Sequence, residues 1–243
     1  MMKRAIITGA SSGIGAEMAR EFARRGYEVV LLARRADLLD QLAKELPRAT
    51  AIACDVTDSA AVHDAVARSG PFDVAIANAG VGVTAWAAKS VADAEVMMRV
   101  NYFGMLYLFD AVMPSMMERR SGQFAGVASI AGLRGLPTSA GYSASKAAMQ
   151  AFLEAARVEL KSFNIRVTTV NPGFIVTAMT EKNKFKMPFL MKADRAARII
   201  VDGVERGKRV VEFPLPMSMA MRFARIVPSW MYDRVVGAAR IRE

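Results

Sequence analysis

Thr8-Gly9-Ala10-Ser11-Ser12-Gly13-Ile14-Gly15 is the stretch whose reading decides the fold. Before it comes Arg4-Ala5-Ile6-Ile7, a short apolar run that reads as a buried strand. After it comes Ala16 to Arg25, where Met18, Ala19, Phe22 and Ala23 recur at a helical period. Gly9, Gly13 and Gly15 therefore occupy a strand-to-helix turn. Glycine is needed where the backbone takes positive φ or lies against a ligand. The helix behind the turn points unpaired N–H groups and a positive dipole end at its ligand, which suits a pyrophosphate. The spacing, Gly-x-x-x-Gly-x-Gly, is a variant of the general dinucleotide fingerprint Gly-x-Gly-x-x-Gly. Ordinary tight turns also use Gly and Ser, so the weight falls on the residues downstream.

Glu28 to Leu32 reads as the second strand and stops at Ala33-Arg34-Arg35. In a dinucleotide fold an acid at this strand end binds the ribose 2′-OH of NAD, whereas an arginine accommodates the 2′-phosphate of NADP. Arg34 and Arg35 with no acid favour NADP(H), with NAD(H) as the alternative; a solvated pair of arginines at a helix start is the blander account. Asp37 is expected to cap a helix through Leu46, which Pro47 ends. Ala49 to Ala53 is a third strand running into Cys54-Asp55-Val56, and Thr57 or Asp58 caps a helix from Ala60 to Arg68. Val74 to Ala77 is a fourth strand, broken by Asn78-Ala79-Gly80, where small residues allow close backbone approach to a ligand. From Ser90 through Asn101 to Met113 the chain reads as helix, apolar nearly all round, hence central or at a subunit interface. Gln123 to Ala128 is a fifth strand ending at Ser129. Ile165 to Val170 is a sixth, ending in Asn171-Pro172-Gly173 and leading to Thr177. Asp194 is expected to cap a helix to Arg206, and Lys208 to Phe213 is a seventh strand.

The strand–helix repetition predicts a single-domain α/β Rossmann fold: a doubly wound seven-stranded parallel sheet with helices on both faces, plus a C-terminal helical extension. Ligands of such sheets bind at the carboxyl ends of the strands. The fragments at Gly9–Gly15, Arg34, Asp55 and Asn78–Gly80 all fall there.

Tyr142-Ser143-Ala144-Ser145-Lys146 opens a helix to about Phe163, with Tyr142 and Lys146 at i and i+4 on one face. A free tyrosine is too weak an acid for neutral pH. A neighbouring ammonium favours the phenolate and lowers its pKa towards the range that general acid–base catalysis needs. A Tyr–Lys face is a common accident; its place just past strand five makes it a catalyst candidate.

The chain has 243 residues, 53% of them hydrophobic, enough for one large core. Cys54 is the only cysteine, so no intrachain disulfide forms, and a cytoplasmic location is the simpler reading. No signal peptide or membrane-spanning run is expected. The net charge is +10, but the basic residues are dispersed and lack the aromatic interleaving of a nucleic-acid binder. His63 has no ligand partner at useful spacing, and no metal site is expected.

Thr8-Gly9-x-x-x-Gly13-x-Gly15, Asp55-Val56, Asn78-Ala79-Gly80, Asn101, Ser129, Tyr142-x-x-x-Lys146 and Pro172-Gly173-x-x-x-Thr177 occur in the order and at the spacing of the short-chain dehydrogenase/reductase family, which the sequence resembles over about residues 3–213. The resemblance implies a catalytic set of Asn101, Ser129, Tyr142 and Lys146. Tyr142 would be the general acid to a substrate carbonyl. Lys146 would bind the nicotinamide ribose and lower the Tyr142 pKa. Ser129 would hydrogen-bond the carbonyl oxygen, and Asn101 would hold a water of a proton relay. It also implies cofactor contacts from Gly9, Ser11, Ser12, Gly13, Ile14, Gly15, Arg34, Arg35, Asp55, Val56, Asn78, Ala79, Gly80, Pro172, Gly173 and Thr177. Two positions depart from the pattern. Ala77 replaces the first Asn of Asn-Asn-Ala-Gly, and Ser12 stands where many NADP enzymes carry a basic residue.

The implied activity is NAD(P)(H)-dependent interconversion of a carbonyl and an alcohol on a small apolar molecule. The alternative is a catalytically silent nucleotide-binding scaffold or sensor. Residues 1–213 would form the catalytic domain, with a substrate loop at about 178–192. Residues 214–243 form an amphipathic extension mixing apolar residues with arginines. It would pack on the core or on a partner in a homodimer or homotetramer, or else dock peripherally on a membrane.

Overall fold

The computed structural model describes residues 2–178, 180–181 and 187–238. Residues 179 and 182–186 of the expected substrate loop, and 239–243 of the tail, lie outside the described residues. Seven parallel strands form one sheet in the order β3-β2-β1-β4-β5-β6-β7. They are β1 (Arg4–Thr8), β2 (Glu28–Ala33), β3 (Ala49–Ala53), β4 (Val74–Ala77), β5 (Gly122–Val127), β6 (Ile165–Pro172) and β7 (Val210–Phe213).

Alternation along the strands builds two cores, because successive side chains point to opposite faces. Ile7, Leu31, Ile76 and Val170 face one side. There they meet α1 (Gly13–Arg24), α2 (Ala36–Glu45) and α7 (Ala193–Glu205). Ile6, Val30, Ala75 and Phe124 face the other. Against them pack α3 (Ser59–Ser69), α5 (Gly104–Arg119) and α6 (Ala140–Glu159). Burial on both faces explains why the central strands read as unbroken apolar runs.

Asp58 caps α3, its carboxylate accepting from Ala61 N at 3.0 Å. Asp37 and Asp194 do not cap. Their helices begin earlier, with Arg35 and Lys192 in the cap positions. Both acids fall instead in the first turn, where the helix dipole favours a carboxylate. The long helix expected from Ser90 is also broken. It consists of α4 (Val91–Met97), a π-helical turn over Met98–Phe103, and α5. The wide turn holds Asn101 fully buried; insertions of this kind cluster at functional sites.

The tail forms α8 (Leu215–Ile226) and α9 (Ser229–Ala238). Ser218 is buried, while Leu215, Met219, Phe223, Ile226 and Trp230 leave an apolar stripe in solvent. Arg134, beyond β5, holds the tail by stacking on Tyr232 at 4.5 Å. The Tyr232 hydroxyl donates to Gly135 O at 2.6 Å. Among the described residues no helix is long and apolar enough to cross a membrane.

One ionic cluster ties α1 to α7. Arg25 reaches Glu21 at 2.5 Å, Asp202 at 2.6 Å and Glu205 at 2.5 Å. Glu21 is only 6% exposed and also pairs with Arg24. Removing one partner of a buried pair strands a charge. Arg25→Met should therefore destabilise by about 2 kcal/mol, discounted from the fully buried case because Arg25 is partly solvated. Differential scanning calorimetry should show a Tm lower by about 4–8 °C; an unchanged Tm would mean the cluster adds nothing.

Candidate active site

The strand ends converge on a cleft of about 810 Å³. Its lining includes Gly9, Ser11, Ser12, Gly13, Ile14, Gly15, Arg34, Arg35, Asp55, Val56, Asn78, Ala79, Gly80, Ser129, Tyr142, Lys146, Pro172, Gly173 and Thr177. Of the catalytic and cofactor-binding residues expected from the sequence, Asn101 alone is missing from this lining and stands behind the wall.

The glycine turn has the conformation its sequence demands. Gly9 has φ +67° and Gly13 φ +58°, the left-handed region. A Cβ at Gly9 would lie 2.8 Å from Ala79 Cα, so the β1 turn passes directly over the end of β4. Side chains lock this crossing. Asn78 Nδ2 donates to Thr8 O at 3.0 Å and to Gly9 O at 3.3 Å. Thr8 Oγ1 accepts from Asn78 N at 3.0 Å and Ala79 N at 3.1 Å. Ala77, where the family pattern has Asn, is buried in the sheet opposite Gly126. The Thr8 and Asn78 bonds tie β1 to β4 directly behind it.

At the β2 end, Arg35 folds over the turn. Its Nη2 donates to Ser11 Oγ at 2.9 Å and Ser12 Oγ at 2.7 Å. Ser12, which stands where many NADP enzymes of the family carry a basic residue, thus has a guanidinium on its own hydroxyl. Arg34 is 70% exposed and stands 4.0 Å from Asp55. The Asp55 carboxylate accepts from Thr57 N and Thr57 Oγ1, both at 2.9 Å. These bonds, the backbone one first, hold its pKa below the usual carboxylate value.

At the β5 end, Ser129 Oγ accepts from Ala131 N at 3.1 Å and donates weakly to Pro172 O at 3.4 Å. α6 brings Tyr142 and Lys146 to the same place one turn apart, with Lys146 Nζ 5.7 Å from the Tyr142 ring centroid. Lys146 is 4% exposed, its Nζ donating to Val127 O at 2.8 Å. Burial pushes its pKa down to about 7. Tyr142 is partly buried and lines the cleft. Burial raises the phenol's pKa, and a hydrogen bond with Ser129 works the other way. At this phenol the upward effect of burial wins.

Asn101 Oδ1 accepts from Val81 N at 2.8 Å; its Nδ2 donates to Val81 O at 3.0 Å and to Ser145 Oγ at 2.9 Å. Ser145 Oγ donates in turn to Tyr142 O at 2.8 Å. The Asn101 side chain thus bridges the Val81 backbone and the helix bearing Tyr142. Ser145 and Gln150 were not anticipated. Gln150 Nε2 donates to Ser129 O at 2.7 Å and Asn171 Oδ1 at 2.9 Å. Their signal was present: both are polar, and they lie three and eight residues beyond Tyr142 on a helix. His63 pairs with Asp110 at 3.0 Å, away from the cleft. Among the described residues no group of three or more His, Cys, Asp or Glu side chains could hold a metal.

The family model described as short chain dehydrogenase matches residues 3–187. The chain belongs to the short-chain dehydrogenase/reductase family and is an oxidoreductase of that family. An oxidoreductase of Myxococcus xanthus, described as uncharacterized, is 37% identical over 99% of this chain and 98% of its own length. Dehydrogenase/reductase SDR family member 7B of Mus musculus is 35% identical over 72% of this chain. This chain spans only 58% of that mouse protein's length, and 61% of a 7-like relative from Anopheles gambiae. Among solved structures, a short-chain dehydrogenase from Sphingobium yanoikuyae in complex with NADPH superposes with a TM-score of 0.82. It is 27% identical and covers 100% of this chain and 97% of its own. A short-chain dehydrogenase from Streptomyces avermitilis gives 0.83 at 26% identity, covering 98% of each chain.

The Lys146 shift carries a stability signature. Below about pH 7 the folded protein bears the full penalty of a buried ammonium. Between about 7 and 10.5 the unfolded chain binds this proton and the folded chain does not, so stability rises with pH. The Tm of wild type minus that of Lys146→Met should therefore increase from pH 6 to pH 9, by about 2–4 °C for each kcal/mol recovered. A flat difference would show that Nζ titrates normally.

Proposed function

We propose that this chain reduces the carbonyl of a small apolar molecule with NADPH, or oxidises the corresponding alcohol, using Tyr142 as acid or base. The observation that carries the reading is the meeting of Ser129, Tyr142 and Lys146 with the glycine turn in one cleft. The cleft suits a dinucleotide. Its first turn admits no Cβ at Gly9 or Gly15, and a Cβ at Gly80 would come within 3.5 Å of Lys146 Nζ. Arg35, Ser11 and Ser12 form a cradle of donors suited to a 2′-phosphate, with exposed Arg34 beside it. NADPH in the Sphingobium yanoikuyae structure supports the same choice.

The nicotinamide, when bound, supplies the hydride to the carbonyl carbon or accepts it from the alcohol. The protein manages the oxygen. Burial keeps the Tyr142 phenol protonated at neutral pH, the state a donor needs for reduction. Its proton passes to the carbonyl oxygen as the C–O π pair moves there, while the Ser129 hydroxyl hydrogen-bonds the same oxygen. Lys146, poised near pH 7, can return a proton to the phenolate. Val81, Val83 and Ile175 line the cleft and favour an apolar substrate. The reading includes self-association, because Phe103 and Val158 leave apolar surface exposed on neighbouring helices. Sedimentation velocity that finds only monomer would remove that part.

Purified protein should oxidise NADPH with a lipophilic ketone or aldehyde. Tyr142→Phe should lower kcat by about 100-fold or more, the scale of lost general acid catalysis, while fluorescence titration shows unchanged NADPH affinity. Retention of most of kcat would reassign the acid. Arg34→Asp with Arg35→Ala should reverse the NADPH:NADH ratio of kcat/KM, since phosphate donors are lost and a ribose acceptor is gained. An unaltered ratio would place phosphate recognition elsewhere.

A further inference from the structure

A chain of hydrogen bonds leaves the active site and ends on the tail. Ser129 O accepts from Gln150 Nε2, which also donates to Asn171 Oδ1. Asn171 Nδ2 donates to Glu212 Oε1 at 2.9 Å, and Arg222 Nε of α8 donates to Glu212 Oε2 at 2.7 Å. Asn171 is 3% exposed and the Glu212 side chain 10%, whereas Arg222 is 59% exposed. Direction in this relay comes from the carboxylate, which can only accept. Glu212 obliges Asn171 to present its NH₂ outward and its oxygen to Gln150. Gln150 must then present its own NH₂, which pins Ser129 O. α8 also packs beside the same loop, with Met217 Sδ 3.1 Å from where a Cβ of Gly173 would stand.

We propose that Glu212 and Arg222 are positioning residues: they fix the main chain of Ser129 through Asn171 and Gln150, making tail helix α8 part of the active-site framework. The inference rests on the reductase reading only for its kinetic consequence. An ion pair with one partner in solvent and a merely structural role adds little to stability and nothing to kcat. Glu212→Gln replaces one acceptor oxygen by a donor, so either Asn171 or Arg222 faces a donor and the direction of the relay is lost.

The test uses the full chain. Steady-state NADPH oxidation with a ketone turned over by the wild type is combined with NADPH titration and hydrogen-exchange mass spectrometry of the peptide covering residues 126–135. Glu212→Gln should lower kcat about tenfold and Arg222→Met about threefold, both with NADPH affinity within twofold of wild type. Each should speed exchange at residues 129–132, and Arg222→Lys, which keeps a charged donor, should recover most of the loss. Wild-type kcat and exchange in Glu212→Gln would overturn the proposal. So would a loss of melting temperature and NADPH affinity with no selective change at 129–132. If the wild type turns over no ketone, the reductase reading fails by itself, and the exchange measurement decides the relay.

Discussion

The close passage of the β1 turn over the end of β4 is the constraint on which the rest of this structure depends. Strand order reverses there: β2 and β3 lie on one side of β1, and β4 to β7 lie on the other. Connections from the two sides leave in opposite directions, opening a crevice at the carboxyl ends. The crevice works as a binding surface only if the backbones at its base stay close enough to leave their N–H groups free for a ligand. Gly9 permits that approach to Ala79, and Thr8 and Asn78 fasten it from behind. An added methyl at Gly15 would meet Gly9 O at 2.2 Å, so helix α1 also takes its position from this contact.

The remainder of the site is held by polar groups buried within an apolar frame. Asn101, Ser145 and Asn171 are all nearly inaccessible. Such groups destabilise a fold when unpaired and specify one arrangement when satisfied. Asn101 and Ser145 hold the backbone of Tyr142, whereas Gln150 and Asn171 hold that of Ser129. The groups proposed to meet the substrate oxygen are therefore fastened by separate networks.

Most of the fold was legible in the sequence because strand and helix leave different periods, and because glycine, proline and asparagine punctuate their ends. Most cleft residues were legible for the same reason, since they follow the end of a strand; Tyr142 and Lys146 were legible instead from their spacing on one helix face. What escaped reading depends on three-dimensional proximity. Nothing in the sequence around Asn101 distinguishes a π-helical turn from the helix on either side; the turn exists because Asn101 finds Val81 and Ser145 across the core. Asp37 and Asp194 look like caps in the sequence because a carboxylate in the first turn and one at the cap are indistinguishable there. Gln150 and Glu212 were passed over because each owes its importance to Asn171, far away in the chain.

The two titratable groups of the site are shifted in opposite directions by the same cause. Burial opposes charge, so it raises the proton affinity of the Tyr142 phenol and lowers that of the Lys146 ammonium. Both shifts favour a neutral pair. A proton can then leave Tyr142 readily only when something else makes the surroundings of the phenolate positive. Additional negative charge beside Nζ would restore the ammonium, and the restored ammonium would in turn stabilise the phenolate. An ammonium at Lys146 would lower the cost of a phenolate beside it, whereas a neutral amine would not. A lysine buried deeply enough to reach a value near 7 responds to small changes in its surroundings, which one fully charged or fully neutral would not.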